Sequence, residues 1–199
     1  MYGDINNDGF PDIYLGNGGP PMDRFDPDLL FMNNGDGTFA DITVAAGIAN
    51  IGKGHGTTFA DYDRDGDLDI YSPQGGAGGN PGDKQRNSLY RNAGNGNHWV
   101  SIRAVGGKGR IPKGLHNRDG IGTKMTLKTG GRTLHAVVSG GSGFAVTNPL
   151  PLWFGLGDQT IVDTLTVEWP GGLTKQFFDL VGDREHIVYE EGKIEQVIP

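Results

Sequence analysis

Two acidic nonapeptides constrain this chain more than any other feature: Asp4-Ile5-Asn6-Asn7-Asp8-Gly9-Phe10-Pro11-Asp12 and Asp61-Tyr62-Asp63-Arg64-Asp65-Gly66-Asp67-Leu68-Asp69. Each puts oxygen-bearing side chains at loop positions 1, 3, 5 and 9 and Gly at position 6, where the backbone turns sharply, and each runs into Ile-Tyr, a strand-forming pair. Carboxylates crowded in this way repel unless a divalent cation neutralises them. A site of six to eight oxygens in flexible geometry suits Ca²⁺ better than Mg²⁺. The expected ligands are Asp4, Asn6, Asp8 and Asp12 in the first loop and Asp61, Asp63, Asp65 and Asp69 in the second. Phe10 and Asp67, at position 7, would offer backbone carbonyls, and two Ca²⁺ ions are expected. Asp, Asn and Gly are also plain turn formers, but two copies in matching context argue for the metal. An EF-hand would place Glu at position 12 and helices on both sides; Leu15 and Ser72 stand there, and strand-forming residues flank both loops.

The loops belong to an internal repeat. Asp4 and Asp61 are 57 residues apart, Asp12-Ile13-Tyr14 matches Asp69-Ile70-Tyr71, and Leu30-Phe31-Met32-Asn33-Asn34-Gly35 matches Leu89-Tyr90-Arg91-Asn92-Ala93-Gly94. Each unit reads as loop, strand, Gly/Pro-rich excursion, strand and turn. The excursions, 16–27 and 73–83, are expected on the surface. Asn33 to Phe39 reads as a hairpin turn and 42–51 as a candidate helical turn. Gly makes up 36 of the 199 residues, far above the usual roughly 7% and without a collagen period, which fits a turn-rich all-β protein.

The acidic nonapeptide, the Asp-Ile-Tyr strand and the Asn-Asn-Gly-Asp-Gly-Thr-Phe turn together resemble the FG-GAP/VCBS repeats of integrin-α-like β-propellers, over residues 1–95. Beyond Asn97, period-2 strands separated by Gly turns predict a β-sandwich or barrel: Trp99 to Val105, Lys124 to Lys128, Leu134 to Val138, Thr164 to Trp169 and His186 to Tyr189. Here Asn117-Arg118-Asp119-Gly120-Ile121-Gly122, Gly141-Ser142-Gly143-Phe144, Phe154-Gly155-Leu156-Gly157 and Val167-Glu168-Trp169-Pro170-Gly171-Gly172 resemble, in that order, the ASPIC/UnbV domain over residues 97–192. The segment from Lys108 to His116 is longer and more basic than that resemblance leads one to expect. Repeats followed by such a domain are similar to the cartilage acidic protein family and to bacterial secreted proteins. The resemblance implies two partial propeller-like blades followed by a β-sandwich or barrel.

The formal charge of −7 argues against nucleic-acid binding. Eight of the 24 acidic residues lie in the two loops, so two Ca²⁺ would bring the net charge to −3. There is no Cys, hence no disulfide or thiolate chemistry, and no apolar run approaches the roughly 18 to 20 residues of a membrane span. A signal peptide is not visible, so an extracellular chain is expected to be a mature or truncated piece of a longer one.

No catalytic constellation is legible. The five His are scattered, Ser142 lacks a nucleophile elbow, and no phosphate-binding Gly loop occurs. Arg118 and Asp119 read as turn chemistry and His55 as structural. Trp153 and Trp169 read as core, and Trp99 as either core or a sugar-stacking platform. The expectation is a non-enzymatic, calcium-stabilised module at the cell surface or outside the cell, used for adhesion or assembly. The alternatives are a glycan-binding module and an accessory part of a secreted enzyme. Only Met1-Tyr2-Gly3 precedes the first loop, so its edge is expected to take a strand from a missing upstream part or from another molecule. The tail 193–199 is a candidate donor for strand addition between copies.

Overall fold

The computed structural model describes residues 1–18, 26–75, 84–107 and 117–197. All of its regular elements are strands: β1 (Tyr2–Gly3), β2 (Asp12–Leu15), β3 (Leu29–Asn33), β4 (Phe39–Asp41), β5 (Thr58–Ala60), β6 (Asp69–Ser72), β7 (Ser88–Tyr90), β8 (His98–Val105), β9 (Lys124–Thr129), β10 (Arg132–Val137), β11 (Leu152–Gly157), β12 (Ile161–Glu168), β13 (Thr174–Val181), β14 (Arg184–Tyr189) and β15 (Ile194–Val197). Among the described residues no helix is long and apolar enough to cross a membrane. The all-β expectation holds. The chain divides into two compact units, the first made of Met1–Ile5, Phe10–Ala93 and Gly141–Asn148, the second of Asn6–Gly9, Gly94–Gly140 and Pro149–Pro199.

In the first unit the repeat is written into strand register. Tyr2 pairs with Ile13 and Gly3 with Asp12 on β1 and β2; 57 residues later Phe59 pairs with Ile70 and Ala60 with Asp69 on β5 and β6. Ile13 then faces Phe31 on β3, as Ile70 faces Tyr90 on β7. The first copy is a four-stranded antiparallel meander, β1-β2-β3-β4, and the second a three-stranded one, β5-β6-β7. The Asn33–Phe39 turn joins β3 to β4, with Gly35 and Gly37 at φ 76° and 88°, values Gly adopts without Cβ strain. The segment 43–47 is a hydrogen-bonded turn in which Ala46 N donates to Ile42 O at 2.8 Å, but it does not extend into a helix.

The strand before the first loop is shorter than its counterpart, two residues in β1 against three in β5. Asn148 serves both strands, donating to Tyr2 O at 3.1 Å and accepting from Phe59 N at 3.1 Å. Of the second excursion only 73–75 are described, and there Gln74 is buried and donates to Ser72 at 3.0 Å; the remainder, 76–83, and 19–25 of the first lie outside the described residues.

The second unit places β10-β9-β12-β13 in one sheet and β11-β8-β14-β15 in another. Both contribute to one apolar cluster, in which Val100 and Ile102 of β8, Leu127 of β9, Leu156 of β11, Val162 and Leu165 of β12 and Val188 of β14 are fully buried. On β12, Leu165 and Val167 turn inward between Thr164, Thr166 and Glu168, the alternation a half-buried strand requires, while Val162 is buried one residue out of phase, beyond the irregularity at Asp163. Among the described residues the four sheets stay open, and none closes into a barrel or curls into a propeller blade. Closure would need an edge-to-edge ladder, and the two large sheets bury their apolar faces against a common core without one.

In the described part of the tail, residues 194–197 are paired within this chain. Ile194–Val197 pairs antiparallel with β14, and Ile194 packs on the core cluster. The turn through Gly192, at φ 102°, returns the chain directly, so the local edge is covered at far lower loop-closure cost than a partner strand would require. Trp169 is core, as read, but Trp153 is not: it lies half-buried and stacked on Trp99, with ring centroids 4.3 Å apart and planes 9° from parallel. The basic segment from Lys108 to His116 lies outside the described residues.

Candidate metal centre

Both acidic loops have the same backbone. Position 4 is left-handed in each, Asn7 at φ 54° and Arg64 at φ 63°, and the Gly at position 6 has φ 90° in Gly9 and 96° in Gly66. The last carboxylate of each loop is a clamp. Asp12 Oδ2 accepts from Ile5 N at 2.9 Å and its Oδ1 from Asn33 N at 2.8 Å. Asp69 Oδ2 accepts from Tyr62 N at 3.1 Å and its Oδ1 from Asn92 N at 2.8 Å. These carboxylates, both buried, tie the loop entrance to the end of the third strand of each unit. Sequence reasoning placed Asp12 and Asp69 among the ligands and missed this tie, although the aligned pair Asn33 and Asn92 signalled it.

The second loop gathers charge. One carboxylate oxygen from each of Asp61, Asp63 and Asp65 lies within 4.8 Å of the others. Asp67 and Asp69 are not in that group. Asp61 Oδ2 accepts from Gly66 N at 3.2 Å, while its Oδ1 is buried with no hydrogen-bond partner. Burial pushes the Asp61 carboxyl above the usual carboxylate range, as it does for Asp69, where Asp63 and Asp65 add repulsion. A buried oxygen without a donor, beside two more carboxylates, is a hard-oxygen ligand set short of a positive charge, and a divalent cation fits it.

What supplies positive charge here is Arg91, which sequence reasoning did not single out. Its Nε meets Asp63 Oδ2 at 2.6 Å and a terminal nitrogen meets Asp65 Oδ2 at 2.9 Å. The corresponding residue of the first repeat is Met32.

The first loop shows a different arrangement. Asn6 Nδ2 donates to Asp8 Oδ2 at 2.8 Å and Asp8 N donates to Asn6 Oδ1 at 3.3 Å, so these two side chains partly satisfy each other. Its tip, Asn6–Gly9, belongs to the second unit and is held there through backbone carbonyls. Asn6 O accepts from Asn95 and Asn97, Asn7 O from Gly157 N at 2.8 Å, and Asp8 O from Arg132 at 2.6 Å. Asn7 is fully buried, and its Oδ1 accepts from Trp153 Nε1 at 2.8 Å. Asp4 and Asp12 are buried, and the Phe10 ring lies on Gly35.

The described histidines are dispersed in local structure. His98 pairs with Asp183 at 2.7 Å, His135 with Thr126, His55 with Gly75 O, and buried His186 with Val181 O. Arg118 and Asp119 form an exposed 3.4 Å pair in a turn stapled by Asn117, as read from the sequence.

Residues 4–72 match the family described as FG-GAP-like repeat, and residues 114–195 match the family described as ASPIC and UnbV. The chain is 39% identical over 69 residues to cartilage acidic protein 1 of Xenopus tropicalis, a stretch covering 34% of this chain and 10% of that protein. Against cartilage acidic protein 1 of Homo sapiens it is 47% identical over 45 residues, covering 22% of this chain and 7% of that protein. The matched stretches span a tenth or less of these curated relatives' length.

Proposed function

We propose that this chain, a member of the proteins carrying FG-GAP-like repeats and an ASPIC and UnbV domain with distant homology to cartilage acidic protein 1, is a non-catalytic extracellular module stabilised by calcium and used for adhesion or assembly with another extracellular protein. The observation that carries the reading is the partnerless buried Oδ1 of Asp61 beside Asp63 and Asp65. Asp61, Asp63 and Asp65 would hold an ion in the second loop, with the Asp67 carbonyl and Asp69 as further oxygens. Asp4, Asn6, Asp8, the Phe10 carbonyl and Asp12 would do so in the first. The bound charge would offset carboxylate repulsion and fix loop geometry, leaving surfaces rather than reacting groups as the working part. Extracellular modules of this kind bind calcium at roughly 10⁻⁴ to 10⁻³ M.

Calcium should therefore raise the melting temperature, by the equivalent of about 2.7 kcal/mol per site at 100 times Kd. An unchanged melting temperature on adding EGTA to calcium-loaded protein would sink the reading. Asp65→Ala should weaken calcium binding more than Asp67→Ala, since position 5 offers its side chain and position 7 its carbonyl; equal losses by calorimetry would mean a shifted loop register.

A second reading, glycan binding, is favoured by one observation, the half-buried Trp99 and Trp153 stack, which offers an aromatic surface to a sugar ring. Glycan-array binding lost in Trp99→Ala would support it, and silence across the array would return the weight to protein partners.

A further inference from the structure

The clamp that ends each loop also dictates what stands beside it. Asn33 N is fixed to Asp12 and Asn92 N to Asp69, so the preceding residue, Met32 in the first repeat and Arg91 in the second, occupies the same place in the frame. The frame is shared, and the side chain it delivers differs in charge.

Arg91 takes the oxygens an ion would need. Asp65 Oδ1 already accepts from Asp67 N at 3.2 Å, which leaves Oδ2 as its outward oxygen, and that is the atom Arg91 holds. On Asp63 it again holds Oδ2. A guanidinium fork spreads its charge over two carboxylates in fixed geometry, which an ammonium does less well. Asp61 Oδ1 keeps no partner, so the arginine contacts two of the three carboxylates, offsets one of three negative charges and leaves Asp61 unserved.

We infer that Arg91 is a tethered competitor for the cation of the second loop: it holds Asp63 and Asp65 when the ion is absent and must release them when it binds. This rests on the reading that the loop binds calcium. The side chain is well exposed, so it can swing into solvent without unpacking any core. Two consequences follow. The metal-free loop stays ordered instead of being repelled open, and the calcium concentration at which the site fills is set higher than the carboxylates alone would give.

The test is calorimetric calcium titration of the full chain, wild type against Arg91→Met, which copies the first unit, with Asp65→Asn identifying the heats of the second loop. Arg91→Met should tighten that site by about 1.5- to 5-fold, as expected for loss of a solvent-exposed competing pair. Arg91→Lys should lie between the two. Under EGTA Arg91→Met should melt below the wild type, and in saturating calcium at or above it. Arg91→Gln provides the same comparison if the methionine variant folds poorly. Equal or weaker calcium affinity in the neutral variants, with the wild type binding normally, overturns the role of Arg91 alone. No heat and no melting shift in any variant overturns it together with the calcium reading.

Discussion

The two acidic loops share one backbone and stand in opposite surroundings. Both turn through a left-handed position 4 and a Gly at position 6, and both end in a buried Asp that accepts two backbone N–H groups. Yet the tip of the first is packed within the second unit, its carbonyls and Asn7 spent on Arg132, Gly157 and Trp153. The second carries three converging carboxylates, two of them exposed, with an arginine laid over that exposed pair. The comparison teaches that in such a motif Gly and the terminal Asp fix the shape, while the residues delivered from neighbouring strands decide how the loop's polar groups are partnered.

If the shape is common to both loops, removing position 9 should cost the same in each. Asp12→Ala and Asp69→Ala each leave two backbone donors without an acceptor, a loss of about 2 to 4 kcal/mol. Urea denaturation in EGTA should show the two variants falling together. A silent Asp69→Ala beside a crippled Asp12→Ala would break the comparison at its base.

The surroundings separate next. Arg132 donates to Asp8 O and Leu156 O, so Arg132→Ala should cost about 1.5 to 3 kcal/mol, the range for hydrogen bonds from a charged donor. Hydrogen exchange should report faster amides at Asn6 to Gly9 and no change from Tyr62 to Gly66. Equal acceleration in both loops would mean that the first is not specially held.

Much of this was legible in the sequence because it follows local rules. Gly9 and Gly66 announced the turns, the 57-residue offset gave the register, and alternation on β8, β9 and β12 marked strands and core. What escaped depends on contacts between distant residues or on local breaks in pattern. On β13 the buried Phe177 and Leu180 are three apart, because Asp179 adopts φ 54° and disrupts the alternation that would have revealed the strand. The parallel pairing of β14 with β8 joins residues more than 80 positions apart. Trp153 read as core packing at a strand end, yet neighbours on a strand face opposite ways, and Phe154 took the inside. Arg91 stood in the repeat alignment without being singled out, and only its contacts with Asp63 and Asp65 place it on the second loop.

The smallest effect sharpens the comparison furthest, because it concerns the one backbone position where the two loops differ only in residue type. Position 4 is left-handed in both, a region that costs an L-residue with a long side chain roughly 1 to 2 kcal/mol but that Asn tolerates. The first loop uses Asn7 there and the second Arg64, which is exposed. Arg64→Asn should therefore stabilise the chain by about 0.5 to 1 kcal/mol, read as a higher urea midpoint at unchanged slope. The reverse exchange is not symmetric. Asn7 is fully buried and bonded to Trp153, so Asn7→Arg brings both the backbone cost and the loss of that hydrogen bond, with a buried charge added. If Arg64→Asn proves neutral or destabilising, the Arg64 side chain contributes something its exposure conceals, and position 4 of the second loop joins Arg91 as part of its charge balance.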